Sequence, residues 1–191
     1  MKKLLLVLVM VNAAISINAQ DFPKMDKSPL DFAYYPTDAV KRGFKKTDEE
    51  KIAGTPKMRV IYSRPQKKER EVFGKLVEYN KEWRLGANET TEIDFFTDVE
   101  VGGSKLTAGR YTMICVPTEK EWTIKFSKDL DYWGAYTYNP KNDVASITVP
   151  TQKVSAVIES FSIVLHSPKD SIVHIKMGWD MTVVEVPVTL K

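Results

Sequence analysis

The feature that most constrains this sequence is the pattern after Pro56, where short runs of β-branched and aromatic residues alternate with turn residues. The stretch EWTIKFS shows the alternation of a half-buried strand, because Trp122, Ile124 and Phe126 fall on one face of an extended chain. Several such strands at fairly regular spacing are typical of a sandwich or a barrel. The sequence therefore predicts an all-β fold, an antiparallel β-sandwich of jelly-roll-like or Ig-like form, over residues 57–191. The predicted strands cover residues 57–63, 92–98, 110–116, 122–127, 135–138, 145–149, 156–166, 173–179 and 183–190.

A β-hairpin is predicted at residues 99–106, where Gly102 and Gly103 separate two short runs. Paired glycines tolerate the positive φ that a two-residue hairpin turn demands. At 191 residues the chain is long enough for one sizeable core and short for two, so we expect a single domain.

Both histidines of the sequence lie in the predicted C-terminal strands. Apolar matching places Phe161, Ile163 and Leu165 opposite Met177, Ile175 and Val173. This register leaves His166 and His174 as diagonal neighbours on the polar face. The hairpin supplies no carboxylate or thiol beside them, so a third zinc ligand would have to come from elsewhere. We therefore predict two solvent-facing histidines and no metal site.

The N-terminal end is predicted to have two parts. Residues 1–19 have the features of a signal peptide, with two lysines before an apolar run and Ala19 at its end. The apolar run is far short of the roughly 20 residues of a membrane-spanning helix. We expect a soluble periplasmic or extracellular protein without membrane insertion. Residues 20–56 are polar with scattered aromatic residues and no sustained period, which predicts an irregular N-terminal arm with helical turns near residues 38–44 or 48–53.

Charge and cysteine content exclude two classes of protein. The chain has 28 basic and 25 acidic residues, and loss of the two lysines in the signal peptide leaves a net charge of +1. Nucleic acid is therefore not an expected partner. With Cys115 as its single cysteine the chain forms no intramolecular disulfide, and we predict a buried thiol inside an apolar run.

No catalytic motif is present in the sequence. The nucleophile-elbow, zinc-protease, phosphate-loop, dithiol and dinucleotide-binding patterns are all missing. We predict no catalytic residues and no cofactor, and we consider a non-enzymatic binding or structural module more consistent with the sequence than an enzyme. The alternative is a hydrolase that acts on an envelope or carbohydrate substrate.

One region resembles a known family. The run YSRP, followed by basic residues and then by FGKLVEYNKEWRLGANET, is similar to the DUF2911 family of Bacteroidetes-type bacteria. Further stretches fall in the family's order: DVEVGGSKLTAGRYTMICVP, EWTIKFS, WGAYTYNPKNDV and MGWDMTVVEVPV. The resemblance covers about residues 58–190 and implies a secreted β-sandwich of unknown activity. The family tends to have Lys-Gly-Arg where this chain has Lys68, Glu69 and Arg70, which weakens any functional role carried over to Arg70.

The segment WRLGANE (residues 83–89) concentrates the polar and aromatic residues with most functional potential. In a structural interpretation, Glu89 holds Arg84, Asn88 caps the turn around Gly86 and Trp83 packs beneath. In a binding interpretation, several arginines converge at one cavity for an anionic or glycan ligand, and a tryptophan stacks on it. The candidate ligand-binding residues are Arg64, Arg70, Trp83, Arg84, Asn88, Glu89 and Trp133.

Overall fold

A computed structural model describes residues 21–169 and 171–191, so the predicted signal peptide lies outside the described residues. The described chain contains ten strands, one α-helix and two short 3-10 helices. The strands are β1 (Leu30–Tyr35), β2 (Met58–Ser63), β3 (Glu92–Phe95), β4 (Val99–Val101), β5 (Ser104–Leu106), β6 (Gly109–Pro117), β7 (Glu121–Ser127), β8 (Asp143–Pro150), β9 (Gln152–Lys169) and β10 (Ile172–Leu190). The helices are α1 (Asp48–Ala53) and the 3-10 turns Ala39–Phe44 and Pro140–Asn142.

The strands form two antiparallel sheets that pack face to face. The larger sheet has the order β1-β2-β3-β6-β7-β8, and the smaller has the order β5-β4-β10-β9. In β7 the side chains of Trp122, Ile124 and Phe126 are fully buried, while Thr123 and Lys125 are partly exposed, as the alternation predicts. The predicted all-β antiparallel sandwich is confirmed.

The N-terminal arm contributes a strand that the sequence pattern did not predict. Strand β1 pairs with β2 along its whole length, from Leu30 opposite Ser63 to Tyr35 opposite Met58. Only Ala33 of this strand is buried, and the larger side chains of Leu30 and Phe32 are more than half exposed, so burial of apolar residues contributes little to this strand. Its extended form depends on pairing with β2 at the edge of the sheet.

Both predicted helical turns of the arm are present. The 3-10 helix spans Ala39–Phe44, and α1 begins after a capping box in which Thr47 and Glu50 bond each other's backbone N–H groups. No helix in the part of the chain that the structure describes is long and apolar enough to cross a membrane.

The hairpin prediction is confirmed and one strand prediction is wrong. Strands β4 and β5 pair through a turn in which Gly102 and Gly103 have φ of 56° and 80°. Residues 135–138, predicted as a strand, form a turn instead. Gly134 has a φ of 74°, which turns the chain away from an extended path before the aromatic residues are reached.

Strands β9 and β10 pair in a register two residues away from the predicted one. Ile163 lies opposite Met177, and His166 lies directly opposite His174 instead of diagonally. The predicted faces are nevertheless correct, because a shift of two residues keeps every side chain on its own side of the sheet. Both strands also continue into the predicted loop, to Lys169 and from Ile172, and the pairing has an irregularity between Ile172 and His174.

Candidate functional site

The WRLGANE segment (residues 83–89) is fixed to the core mainly by its backbone. The N–H groups of Trp83 and Cys115 each donate to the other's carbonyl oxygen, at 2.7 and 2.8 Å. At Gly86 the backbone has a φ of 153°, and a Cβ there would lie 2.8 Å from the carbonyl oxygen of Ser63. A glycine is therefore needed for the segment to approach strand β2 this closely.

Trp83 belongs to the aromatic core. Its side chain is 7% exposed, and its indole N–H donates to the carbonyl oxygen of Gly86 at 3.2 Å. Its ring centroid lies 5.2 to 6.1 Å from those of Phe73, Trp122, Phe161 and Trp179. This packing agrees with the structural interpretation of Trp83 and leaves no face of its ring for stacking on a ligand.

Arg84 does not form the predicted ion pair with Glu89. Glu89 is exposed, and it meets Trp133 through a backbone bridge. Among residues 21–169 and 171–191 the Arg84 guanidinium takes part in no ion pair, and its Nε is buried without a hydrogen-bond partner. The donors of Arg84 are therefore not consumed by the fold around it.

The loop that carries Trp133 is joined to the end of the WRLGANE segment by hydrogen bonds. The N–H of Gly134 donates to the carbonyl oxygen of Asn88 at 2.8 Å, and that of Thr90 donates to Tyr132 at 3.1 Å. The buried hydroxyl of Thr90 also donates to the carbonyl oxygen of Gly134 at 2.6 Å. These bonds explain how residues more than forty positions apart in the sequence come to share one surface.

Arg84, Trp133 and Tyr136 form what we call the aromatic-arginine surface. The Arg84 Cζ lies 5.5 Å from the centroid of the Trp133 ring, a cation–π distance. The Trp133 and Tyr136 rings stack with centroids 5.9 Å apart and an angle of 13° between their planes. Their side chains are 56% and 80% exposed, which is unusual for rings of this size. The surface is therefore built of solvent-exposed aromatic rings beside an unpaired guanidinium.

Three cavities border this surface. One of about 260 Å³ is lined by Arg84 and Tyr136 together with Glu78, Lys81 and Glu82. Two others, of about 480 and 460 Å³, are lined by Trp133 and Glu89, and both extend to Leu30 of β1. Acidic side chains line all three cavities: Glu78 and Glu82 in the first, Glu89, Glu92 and Asp131 in the second, and Asp26 and Glu89 in the third.

Arg64 lies in a different place from Arg84. Its Nε donates to the carbonyl oxygen of Phe161 at 3.2 Å, and its two terminal nitrogens bind Asp31 and the Ser162 hydroxyl at 2.8 Å each. Arg64 thus connects β1 to β9, the adjacent edges of the two sheets. It lines its own cavity beside Asp31, so the structure does not bring Arg64 and Arg84 to one mouth.

The side chains of Arg70 and Asn88 form hydrogen bonds away from Arg84 and Trp133. Arg70 is exposed, and its guanidinium donates to the carbonyl oxygens of Gln66 and Lys67 within its own loop. The Asn88 side chain donates to Asp26 in the N-terminal arm at 2.9 Å, instead of capping the turn around Gly86. The hydrogen bond from the backbone N–H of Ser28, and after it the bond from Asn88, lower the pKa of Asp26.

The sequence reasoning missed Tyr136 as a member of this surface. Tyr136 lies within residues 135–138, which the sequence predicts as a strand and which form a turn in the structure. Tyr138 bonds the carboxylate of Asp143, and burial raises the pKa of both side chains. The glycine at position 134, which breaks the strand, was the available signal.

The fold and this surface define an antiparallel β-sandwich with an exposed aromatic-arginine surface on its loops. The chain belongs to the DUF2911 family, described as a protein of unknown function, whose model matches residues 45–188. This match confirms the family resemblance found in the sequence. Neither the curated proteins nor the solved structures contain a match to the chain.

Proposed function

We propose that this protein is an extracytoplasmic, non-enzymatic binding module whose aromatic-arginine surface takes an oligosaccharide. The observation that supports the proposal is the exposed, stacked pair of Trp133 and Tyr136 beside the unpaired guanidinium of Arg84. The apolar face of a sugar ring packs on aromatic rings, and its hydroxyl groups need donors and acceptors around the edge. The surface offers both kinds of group at one place.

The charges around the surface favour a neutral glycan over an anion. Two cations line the nearest cavity, Lys81 and Arg84. Lys81 pairs with Glu78 at 3.2 Å, whereas Arg84 has no carboxylate partner among the described residues. Carboxylates of Glu82 and Glu89 lie in the bordering cavities, and they would repel an anionic ligand. The same carboxylates accept hydrogen bonds from sugar hydroxyls, while Arg84 donates to the sugar oxygens. A neutral oligosaccharide uses all of these groups without unfavourable charge.

The position of the cavities favours a chain of several sugars. Tyr136 and Arg84 border one cavity, and Trp133 borders two others, so the stacked rings lie between depressions. A single sugar would occupy one depression, whereas an oligosaccharide can cross the rings and enter two. The predicted signal peptide over residues 1–19 supports a place for this module outside the cytoplasm, where cell-surface glycans occur.

Calorimetric titration with neutral and acidic tetrasaccharides tests the proposal. The neutral set contains glucose, mannose, galactose and N-acetylglucosamine oligomers, and a galacturonate oligomer is the acidic comparison. We expect a neutral oligomer to bind the untagged chain of residues 20–191. Trp133→Ala should weaken its binding by about 2- to 12-fold, because aromatic packing contributes about 0.5–1.5 kcal/mol.

A matched control is available at Phe96. Its ring is 49% exposed and lies 5.9 Å from the Arg59 Cζ, but that arginine is paired with Asp94 at 2.6 Å. Phe96→Ala removes an exposed aromatic ring beside an arginine that is already paired with a carboxylate, and it should leave oligosaccharide binding unchanged. Equal losses in both variants, or binding of the acidic oligomer alone, would contradict the proposal.

A further inference from the structure

A second polar cluster lies on the outer face of the smaller sheet, apart from the aromatic-arginine surface. His166 of β9 and His174 of β10 are paired directly across the two strands, and their ring centroids are 5.4 Å apart. Leu165 and Ile175, the neighbours of the two histidines in the sequence, are buried. Both imidazoles therefore point to the side of the sheet away from the core.

The third member of the cluster is Glu185, which comes from the far half of β10. Eleven residues of extended strand would separate Glu185 from His174 by about 36 Å. The structure instead places the Glu185 Oε2 2.9 Å from the His174 Nδ1. The chain reverses between them, since Leu190 donates its N–H to the carbonyl oxygen of Ser171 at 2.8 Å. Asp180, with a φ of 54°, lies in the intervening stretch.

The three side chains converge on a common point. The Glu185 Oε2 is 2.9 Å from the His174 Nδ1 and 3.5 Å from the His166 Nε2, and each of the three residues has one potential ligand atom within 4.8 Å of those of the other two. A zinc ion with ligand bonds of about 2.0–2.2 Å holds its donor atoms about 3.3–3.5 Å apart in tetrahedral geometry. Small side-chain movements are therefore sufficient to place all three donors around one ion.

One atom of the cluster has no hydrogen-bond partner within the described part of the chain, and another is held in position by a neighbouring cation. The His166 Nε2 is buried and has no hydrogen-bond partner among the described residues. A buried polar atom without a partner is destabilising, and a metal ion would use its lone pair. The remaining oxygen of Glu185, Oε1, is held by the Lys176 ammonium at 2.9 Å, which orients the carboxylate.

We propose that His166, His174 and Glu185 form a binding site for a divalent transition-metal ion, with Zn²⁺ as the preferred ion. Two imidazoles and one carboxylate are a ligand set that suits zinc and leaves a fourth position open. The side chains of His166, His174 and Glu185 are 41%, 25% and 23% exposed, so the cluster lies near the protein surface. A bound ion would tie β9 to both halves of β10.

Titration of the untagged chain of residues 20–191 with zinc chloride tests this site. His166 and His174 are the only histidines of the sequence, so imidazole-dependent binding reports this cluster alone. We expect one ion per chain with a dissociation constant in the micromolar range or below. The single substitutions His166→Gln, His174→Gln and Glu185→Gln should each weaken zinc binding more than about a hundredfold. Loss of a residue that only hydrogen-bonds a ligand weakens metal binding by about 10- to 100-fold, and loss of a direct ligand should cost more.

Glu100→Gln is the matched control. Glu100 pairs with the Lys191 ammonium at 2.8 Å, as Glu185 pairs with Lys176, and it lies in the same sheet. This variant should bind zinc like the unchanged chain, and cobalt(II) bound to the unchanged chain should give the strong visible absorption of a tetrahedral site. Millimolar or multiple-ion binding, or binding that survives loss of either histidine in a folded variant, overturns the proposal.

Discussion

Replacing Trp83 and Arg84 one at a time with alanine should give very different losses of stability, although the two residues are adjacent in the sequence. Trp83 is 7% exposed and packs against four other aromatic rings, so Trp83→Ala should cost about 3–5 kcal/mol through lost burial and a cavity. Arg84 loses only its cation–π contact with Trp133, about 0.5–1 kcal/mol at a partly exposed position. A buried ion pair with Glu89 would instead have made Arg84→Ala cost about 3–5 kcal/mol.

Thermal unfolding of the untagged chain followed by circular dichroism measures this difference. For a domain of this size about 1 kcal/mol lowers the midpoint by about 2–4 °C, so Trp83→Ala should unfold about 6–20 °C lower and Arg84→Ala about 1–4 °C lower. Trp133→Ala is the control for loss of a tryptophan, because its ring is 56% exposed, and it should behave like Arg84→Ala. Equal midpoints for Arg84→Ala and Trp83→Ala would refute the conclusion that the Arg84 donors are unpaired.

Two further predictions concern the smaller sheet. Gly102→Ala should lower the free energy of unfolding by about 1 kcal/mol more than Gly103→Ala, because a Cβ at Gly102 would overlap the carbonyl oxygen of Ser146 while Gly103 faces open space. Urea unfolding measures the difference, and similar midpoints for the two variants would contradict the predicted overlap. Glu185 accepts hydrogen bonds from His174 and Lys176, which lower its pKa from 4.5 to about 2. Its contribution to stability is therefore present above about pH 4.5 and is lost as the pH falls towards 2. Urea unfolding between pH 6 and pH 2 should therefore show a smaller acid-dependent loss in Glu185→Gln than in the unchanged chain, and parallel curves would contradict the shifted pKa.

The elements that the sequence predicted are those whose signal is local. The alternation in EWTIKFS places Trp122 and Phe126 in the core, and the Gly102–Gly103 pair produces the hairpin turn. Cys115 is buried as predicted, and burial raises the pKa of its thiol. In each case the responsible residues lie within a few positions of one another, so their preferences act before any tertiary contact forms.

The candidate site could be predicted only in part. The sequence pointed to Arg84 and Trp133 as residues of interest, but it paired Arg84 with Glu89 and expected Arg64 and Arg70 beside it. Arg84 meets Trp133 because Thr90 and Asn88 bond the backbone of a distant loop. Such pairing has no local pattern in the chain.

The sequence by itself determined the all-β class, the faces of the strands and the family, since these depend on residue type and on a two-residue period. Tertiary structure alone decided that Leu30–Tyr35 is an edge strand, because its extended form comes from hydrogen bonds to β2. It also brought Glu185 to His166 and His174, because the reversal within β10 sets which distant side chains share a face. Contacts between residues far apart in the chain are fixed by the packing of the whole sandwich, and both candidate sites are made of such contacts.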